Sequence, residues 1–458
     1  MIKLPSLILL TLFSILNIQG TELPICILSG EIKNPNSDSL FIKNENDDLI
    51  KAIRLDKKKT FRVELQLEEG YYTIEDNNEQ TQLFLSPGFD LNIFINTKAF
   101  DESIVYKGKG AAENNFLAKL CLLNESLEKF KYYGYYAKLN ETAFLNLMDS
   151  IKLLEMNLLN TNKELMLSRF YDLEAMKINY DYRMKLNEYE SLHRYFTGNN
   201  DFKVSALFPD PFEGIDLNNP DWFNIYEYSG LIEAYLWRLA NNDYKEKVDT
   251  NYHLLFYKNL ESKIVSPVLK EQFAYKIGKY SLMNVLNMEA VYQKTISLMQ
   301  SPEKKNEVIA IYNKINLLQA GYPSPDFKFK DKSGQTYQLS DFKGKYIYID
   351  VWATWCGPCL GEIPALKKLT DTLASKDIVF VSICVFDEKS SWEKMVTKKQ
   401  LKGVQLFAES GENSFVNEYM IQGIPRFILL DKSGRIVNAN AKRPSEPLLL
   451  KELMELLD

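Results

Sequence analysis

Two cysteines separated by two residues, Cys356 and Cys359, are the part of the sequence best suited to chemistry. They lie where an apolar, strand-like run over 346–351 passes into a stretch of helical character. A helix amino terminus carries exposed N–H groups and a positive partial charge, which stabilise a thiolate and lower the thiol pKa. Cys356 is therefore the predicted nucleophile. Cys359 lies about one helical turn further on, close enough to attack a mixed disulfide at Cys356 and release the reduced partner.

A Cys-x-x-Cys pair can also be half of a zinc site. The sequence has no second such pair, and its 2 histidines, His193 and His253, lie far away along the chain. We therefore predict no metal and no cofactor. The isolated cysteines Cys26, Cys121 and Cys384 are interpreted as buried, unreactive core residues. A disulfide between Cys26 and Cys121 is the alternative.

The elements that must position the pair can be read from the pattern of apolar residues. The runs over 346–351 and 378–383 are apolar strands with a helical stretch between them, which predicts a βαβ unit and a buried parallel pair. After a second helical stretch, residues 427–431 and 436–437 form a predicted hairpin. Residues 447–457 then close the chain with a helix. This region is predicted to be an α/β domain.

A chain of 458 residues is too long for one ordinary hydrophobic core. Two prolines within residues 321–326 mark a change from helix to extended chain. Residues 69–74 and 86–88 resemble the β-rich amino-terminal domain that precedes thioredoxin modules in Bacteroidetes envelope proteins. The predicted order is a signal peptide (1–20), a small antiparallel β domain (21–110), an all-α helical middle region (111–320) and the α/β domain (321–458).

The composition limits the location and the partners. A formal net charge of -6 provides no basic surface for phosphate backbones, so we expect no nucleic acid partner. Lys3 followed by the apolar residues 7–18 is typical of a secretory signal peptide. The apolar run is shorter than the ~20 residues of a spanning helix, although an uncleaved anchor is the alternative. We predict a periplasmic or cell-envelope location.

Residues 350–359, Asp-Val-Trp-Ala-Thr-Trp-Cys-Gly-Pro-Cys, resemble the active-site signature of the thioredoxin superfamily. Residues 339–345, together with Glu362 and Pro364, resemble its TlpA/ResA branch of extracytoplasmic proteins. The resemblance implies a carboxy-terminal thioredoxin fold and a thiol-disulfide oxidoreductase with a redox-active Cys356–Cys359 disulfide. It also implies that three residues around the cysteines contact the substrate: Trp355, Gly357 and Pro358.

The same resemblance assigns roles to further residues. Asp350 is expected to be a buried acid beneath the cysteines that accepts a proton from Cys359, since an Asp in an apolar strand is costly unless it is used or hydrogen-bonded. Glu362 either assists that step or is simply solvated. Ile424 and Pro425 resemble the superfamily loop in which a cis-proline faces the cysteines, with the Ile424 backbone free to pair with an extended substrate.

The Gly-Pro pair between the cysteines resembles reducing thioredoxins, so we predict an enzyme that reduces protein disulfides. A reductant in an oxidising compartment must be recharged, which implies a membrane electron donor of the DsbD or CcdA kind. A peroxiredoxin would need a Pro-x-x-x-Thr-x-x-Cys motif, and the sequence has none. A disulfide oxidase or isomerase, and a ligand-binding or sensing protein with a non-catalytic thioredoxin fold, are the alternatives.

Overall fold

The computed structural model describes residues 24–245, 251–409 and 414–458 of the chain. The chain divides into two compact units, with Arg238 the last residue of the first and Leu239 the first of the second. The predicted signal peptide over 1–20 lies outside the described residues. In the described ranges, no helix combines the length and the apolar character needed to cross a membrane.

The first unit begins with two four-stranded sheets, whose orders are β4-β1-β7-β8 and β3-β2-β5-β6. Their pairings are antiparallel except that β1 and β7 run parallel, so the predicted antiparallel domain contains one exception. The strands are β1 (Cys26–Lys33), β2 (Ser39–Asn44), β3 (Leu49–Arg54), β4 (Thr60–Leu65), β5 (Gly70–Glu75), β6 (Gln80–Leu85), β7 (Asp90–Asn96) and β8 (Val105–Lys109).

Helices follow the two sheets and share a core with them. Phe116 and Phe170, which lie on two of these helices, belong to the same buried cluster as Leu28 and Leu91 of the strands. The predicted domain boundary near 110 therefore falls within a continuous core, and it remains a prediction about folding units. The short helix α1 (Phe100–Ser103) precedes β8, and the later helices are α2 (Ala111–Lys131), α3 (Tyr133–Tyr136), α4 (Glu141–Asn160), α5 (Ser168–Thr197) and α6 (Tyr226–Lys245), the last of which continues past Arg238.

The second unit starts with further helices before its sheet. Ser266 and Ser301 cap two of them through their side chains, and each is followed by proline at the first helical position, an arrangement that fixes where a helix begins. The predicted boundary near 320 lies between these helices and the sheet. The helices are α7 (Tyr252–Lys263), α8 (Pro267–Tyr280), α9 (Met288–Ser297) and α10 (Pro302–Asn316).

A seven-stranded sheet with the order β10-β9-β13-β12-β11-β14-β15 forms the core of the second unit. The β11–β12 pair is parallel and β14–β15 is an antiparallel hairpin, as predicted. The predicted multidomain fold is thus confirmed. The elements are β9 (Lys328–Asp331), β10 (Thr336–Gln338), β11 (Tyr346–Trp352), α11 (Gly357–Thr372), β12 (Ile378–Cys384), α12 (Lys389–Lys399), β13 (Val404–Phe407), α13 (Ser414–Glu418), β14 (Arg426–Leu430), β15 (Ile436–Asn438) and α14 (Pro447–Leu457).

The alternation of side chains along β11 decides what lies beneath the cysteines. Because successive strand residues point to opposite faces, Ile349 packs into the core on one face of the sheet. Tyr348 packs on the other face, against Leu369 of α11 and Leu453 of α14. Asp350 shares the face of Tyr348. The carboxyl group is therefore directed to the side of the sheet that α11 covers.

Candidate functional site

Cys356 and Cys359 lie at the start of α11, and their sulfur atoms are joined in a disulfide with the Cα atoms 5.3 Å apart. Cys356 is the residue that caps the helix, and its sulfur accepts a hydrogen bond from the backbone N–H of Cys359 at 3.2 Å. A sulfur in this position receives both a backbone donor and the positive end of the helix dipole. The arrangement favours the thiolate form of Cys356 once the disulfide is reduced.

Asp350 is buried in the strand that leads to the cysteines, with 8% of its surface exposed. The Ser382 hydroxyl donates a hydrogen bond to the Asp350 carboxylate at 3.2 Å from the neighbouring strand. Burial raises the pKa of Asp350 to about 7, and the negative charge of Glu362 acts in the same direction, while the Ser382 bond opposes the shift. Asp350 can therefore hold or release a proton near neutral pH.

A small cavity of about 20 Å³ is lined by Asp350, Cys359 and Ser382. Two more of its lining residues carry buried polar atoms without a hydrogen-bond partner in the described part of the chain, the indole N–H of Trp352 and the side-chain carbonyl of Gln405. A space of this size holds about one water molecule, which needs two to four polar partners. Such a water can carry a proton between the Cys359 sulfur and the Asp350 carboxylate.

Glu362 is buried rather than solvated, so one of its two predicted descriptions is wrong. Its carboxylate accepts hydrogen bonds from the backbone N–H and the hydroxyl of Ser445, each at 2.9 Å. Ser445 lies just before α14, so this contact ties the first turns of α11 to the last helix of the chain. The negative charge of Glu362 raises the pKa of Asp350, and a role of Glu362 in the proton transfer stays a prediction.

The surface around the cysteines is aromatic. Trp355 is 63% exposed, and its indole N–H donates to the Phe386 carbonyl at 2.8 Å. Phe386 is itself 51% exposed. Gly357 and Pro358 form the first positions of α11, and a side chain at Gly357 would meet no described residue within 4 Å other than its chain neighbours and the backbone of its own helix. An approaching polypeptide would therefore meet two apolar rings beside an uncrowded helix end.

The predicted substrate loop adjoins the same region. The Ile424–Pro425 peptide bond is cis, and Pro425 directly precedes β14. Ile424 packs against the buried cluster that contains Cys356 and Cys359. The structure thus brings the loop and the cysteine pair together.

Sequence reasoning missed Asp387, whose side chain supports the loop before the cysteines. One carboxylate oxygen accepts the Thr354 backbone N–H at 2.5 Å, and the same oxygen lies 3.6 Å from the Cys384 sulfur. Cys384 is buried in one cluster with both active-site cysteines, although it is distant in sequence. Cys384 is buried as predicted, and burial, reinforced by Asp387, raises the pKa of its thiol.

We expect Asp387→Ala to lower the free energy of unfolding by about 1–3 kcal/mol, because the Thr354 N–H would lose its acceptor. Urea unfolding of the full chain would measure the change. Glu388→Ala is the matched control, since Glu388 is exposed and makes no capping bond. A loss of equal size in both variants would contradict the role given to Asp387.

The two cysteines of the first unit do not form the alternative disulfide. Cys26 and Cys121 are both free thiols. Cys26 is buried as predicted, but Cys121 is exposed on α2, so its interpretation as a core residue is wrong. Its sulfur lies within 4.8 Å of carboxylate oxygens of Asp101 and Glu125. A structural zinc ion is bound by four protein ligands in a closed site. This exposed group offers three ligands and gives no reason to assign a metal.

Comparison with known proteins places this site in a family. The family model described as Redoxin matches residues 319–453. The thioredoxin-like protein YneN of Bacillus subtilis is 34% identical over 128 residues, which cover 26% of this chain and 69% of YneN. The thiol-disulfide oxidoreductase ResA of Bacillus cereus is 26% identical over 126 residues, 28% of this chain and 72% of ResA.

Among solved structures, a candidate thiol-disulfide oxidoreductase from Bacteroides vulgatus is 55% identical, with 31% of this chain and 92% of that chain covered and a TM-score of 0.28. Residues 319–453, which the Redoxin model matches, include the cysteine pair, the strand beneath it and the loop beside it. Through this region the chain belongs to the TlpA/ResA-like thiol-disulfide oxidoreductases of the thioredoxin superfamily.

Proposed function

We propose that this enzyme reduces disulfide bonds in other proteins of the cell envelope, with Cys356 as the nucleophile. The observation that carries the proposal is the position of the Cys356 sulfur at the helix cap, above a buried carboxyl group that can take up a proton. A structural disulfide would need neither feature.

In the first step, the Cys356 thiolate attacks one sulfur of the substrate disulfide. A bond forms between Cys356 and that sulfur, the substrate disulfide breaks, and the second substrate sulfur leaves with the bonding electron pair and takes a proton from solvent. Trp355 and Phe386 offer apolar contact area for the polypeptide around that disulfide.

In the second step, Cys359 resolves the mixed disulfide. The Cys359 thiol passes its proton to the Asp350 carboxylate through a water in the small cavity that both residues line. The resulting thiolate attacks the Cys356 sulfur and forms the Cys356–Cys359 bond, while the bond between Cys356 and the substrate sulfur breaks. The substrate sulfur leaves with the bonding electron pair and takes a proton from solvent. Two electrons have then moved from the enzyme to the substrate.

The oxidised enzyme must be reduced again before another cycle. We assign this task to a membrane electron donor of the DsbD or CcdA kind, because a reductant outside the cytoplasm has no thioredoxin system beside it. The predicted signal peptide over 1–20 and the resemblance to extracytoplasmic thioredoxins support the location.

The direction of electron flow is testable through the redox potential of the Cys356–Cys359 couple. Because the Gly357–Pro358 pair resembles that of reducing thioredoxins, we expect a redox potential of about -270 mV for the Cys356–Cys359 couple in the full chain. Equilibration with dithiothreitol redox buffers, followed by alkylation and mass spectrometry, would measure it. A value above about -150 mV would instead favour a disulfide oxidase.

A further inference from the structure

A second cavity lies beside the predicted substrate loop. It has a volume of about 200 Å³ and includes Gly423, the residue before Ile424, in its wall. Met283 and Ile315, from the helical part of the second unit, form another part of the wall, and Arg426 of β14 lines it as well. The cavity therefore adjoins the loop that the resemblance assigns to substrate binding.

Arg426 is a partly buried cation without an acidic partner. Its Nε donates to the Ala439 carbonyl at 3.0 Å, and one Nη lies 2.8 Å from the Met283 sulfur, which is a weak acceptor. Within the described residues, no carboxylate is paired with the guanidinium. Burial lowers the pKa of Arg426, and Tyr419 acts against that shift. A buried charge is costly unless it is paired, so Arg426 is ready to accept an anion.

The other cation at the cavity differs from Arg426. The Lys279 ammonium group forms an ion pair with Glu307 at 2.9 Å, so its charge is already compensated. None of the residues that line the cavity in the described part of the chain is an aspartate or a glutamate. The cavity therefore has an excess of positive charge that belongs to Arg426.

We propose that this cavity binds a carboxylate of the substrate polypeptide, close to the cysteine that Cys356 attacks. The inference rests on the proposed function for the identity of the ligand. A guanidinium group binds a carboxylate through two parallel hydrogen bonds, and the free Nη donors of Arg426 suit that geometry. Substrates with an acidic residue near the reactive cysteine would be preferred.

The test compares three peptides that carry serine in place of the reactive cysteine, so that binding is measured without disulfide exchange. The first has a glutamate beside the serine and an amidated end. The second has glutamine there instead. The third has glutamine beside the serine as its last residue, and its terminal carboxylate is free. We expect the full chain to bind the glutamate peptide at least about tenfold more tightly than the glutamine peptide. The third peptide shows whether a chain terminus serves equally well.

Arg426→Met should reduce the affinity ratio to about one, and Arg426→Lys should give an intermediate ratio. Because each ratio is formed within one protein preparation, partial unfolding of a variant cancels. Arg62→Met is the matched control, since Arg62 is exposed on β4. Equal affinities in the unmodified chain, no measurable binding of either peptide, or a ratio that persists in Arg426→Met would each overturn the inference.

A separate assay with the corresponding disulfide peptides tests the proposed function. Selective binding of the serine peptides without turnover of any disulfide peptide would support the carboxylate site while rejecting the reductase. Turnover of glutamate and glutamine peptides at equal rates, with equal affinities, would reject the carboxylate site while supporting the reductase.

Discussion

Replacement of Cys356 by serine is expected to lower the rate of insulin disulfide reduction by about 10³-fold or more, because a serine hydroxyl cannot attack a disulfide under these conditions. The turbidity that follows reduction of insulin measures the rate. Cys121→Ser is the matched control, since Cys121 is an exposed thiol on α2. Its activity should equal that of the unmodified chain.

Cys359→Ala should behave differently from Cys356→Ser although both lose turnover. The first step remains possible, so Cys356 should stay bonded to its substrate in a mixed disulfide that only an added thiol releases. Non-reducing electrophoresis and mass spectrometry would detect this product. Insulin turnover that survives in both variants would reject the role of the pair, and the alternative of a non-catalytic binding or sensing protein would then be favoured.

Asp350→Asn is expected to stabilise the protein at pH 8 while slowing the enzyme. Burial raises the pKa of Asp350 to about 7, whereas the carboxyl pKa in the unfolded chain is about 4. Between these two pH values the folded chain holds a proton that the unfolded chain has lost. Ionising Asp350 in the folded chain lowers the free energy of unfolding. This loss is absent below about pH 4, grows as the pH rises and is complete above about pH 7. At pH 8 the variant should be more stable by up to about 4 kcal/mol.

Urea unfolding at several pH values would measure this difference. Asp172→Asn is the control, since Asp172 is exposed on α5 and should show no such trend. Turnover should fall by at least about tenfold at neutral pH in Asp350→Asn, because Cys359 would lose its proton acceptor. A stability difference of the same size at pH 4 and pH 8 would show that the charge of Asp350 is not its cause.

Local patterns explain why the site elements could be predicted. The alternation along β11 places Asp350 on the face covered by α11, and the Cys-x-x-Cys spacing puts both sulfurs at one helix end. Sequence reasoning missed Ser382, although its position is informative. A lone serine in an apolar strand suggests a polar neighbour, and Asp350 lies directly opposite it in the parallel register.

Contacts between distant parts of the chain could not be predicted in the same way. The sequence leaves open whether Glu362 is solvated, because its hydrogen-bond partner Ser445 lies far along the chain. Cys121 was assigned to the core because leucines surround it, but its position on α2 turns it outward. The β1–β7 pair is parallel, and strands far apart in the sequence can pair in either direction, so no local pattern predicts the choice.

The wall of the proposed carboxylate cavity is formed by two separate stretches of the chain. Gly423 and Arg426 lie within residues 319–453, the part matched by the family, whereas Met283 and Ile315 precede it. Mutations in α10 or just after α8 can therefore alter which polypeptides are chosen and leave the sulfur chemistry intact.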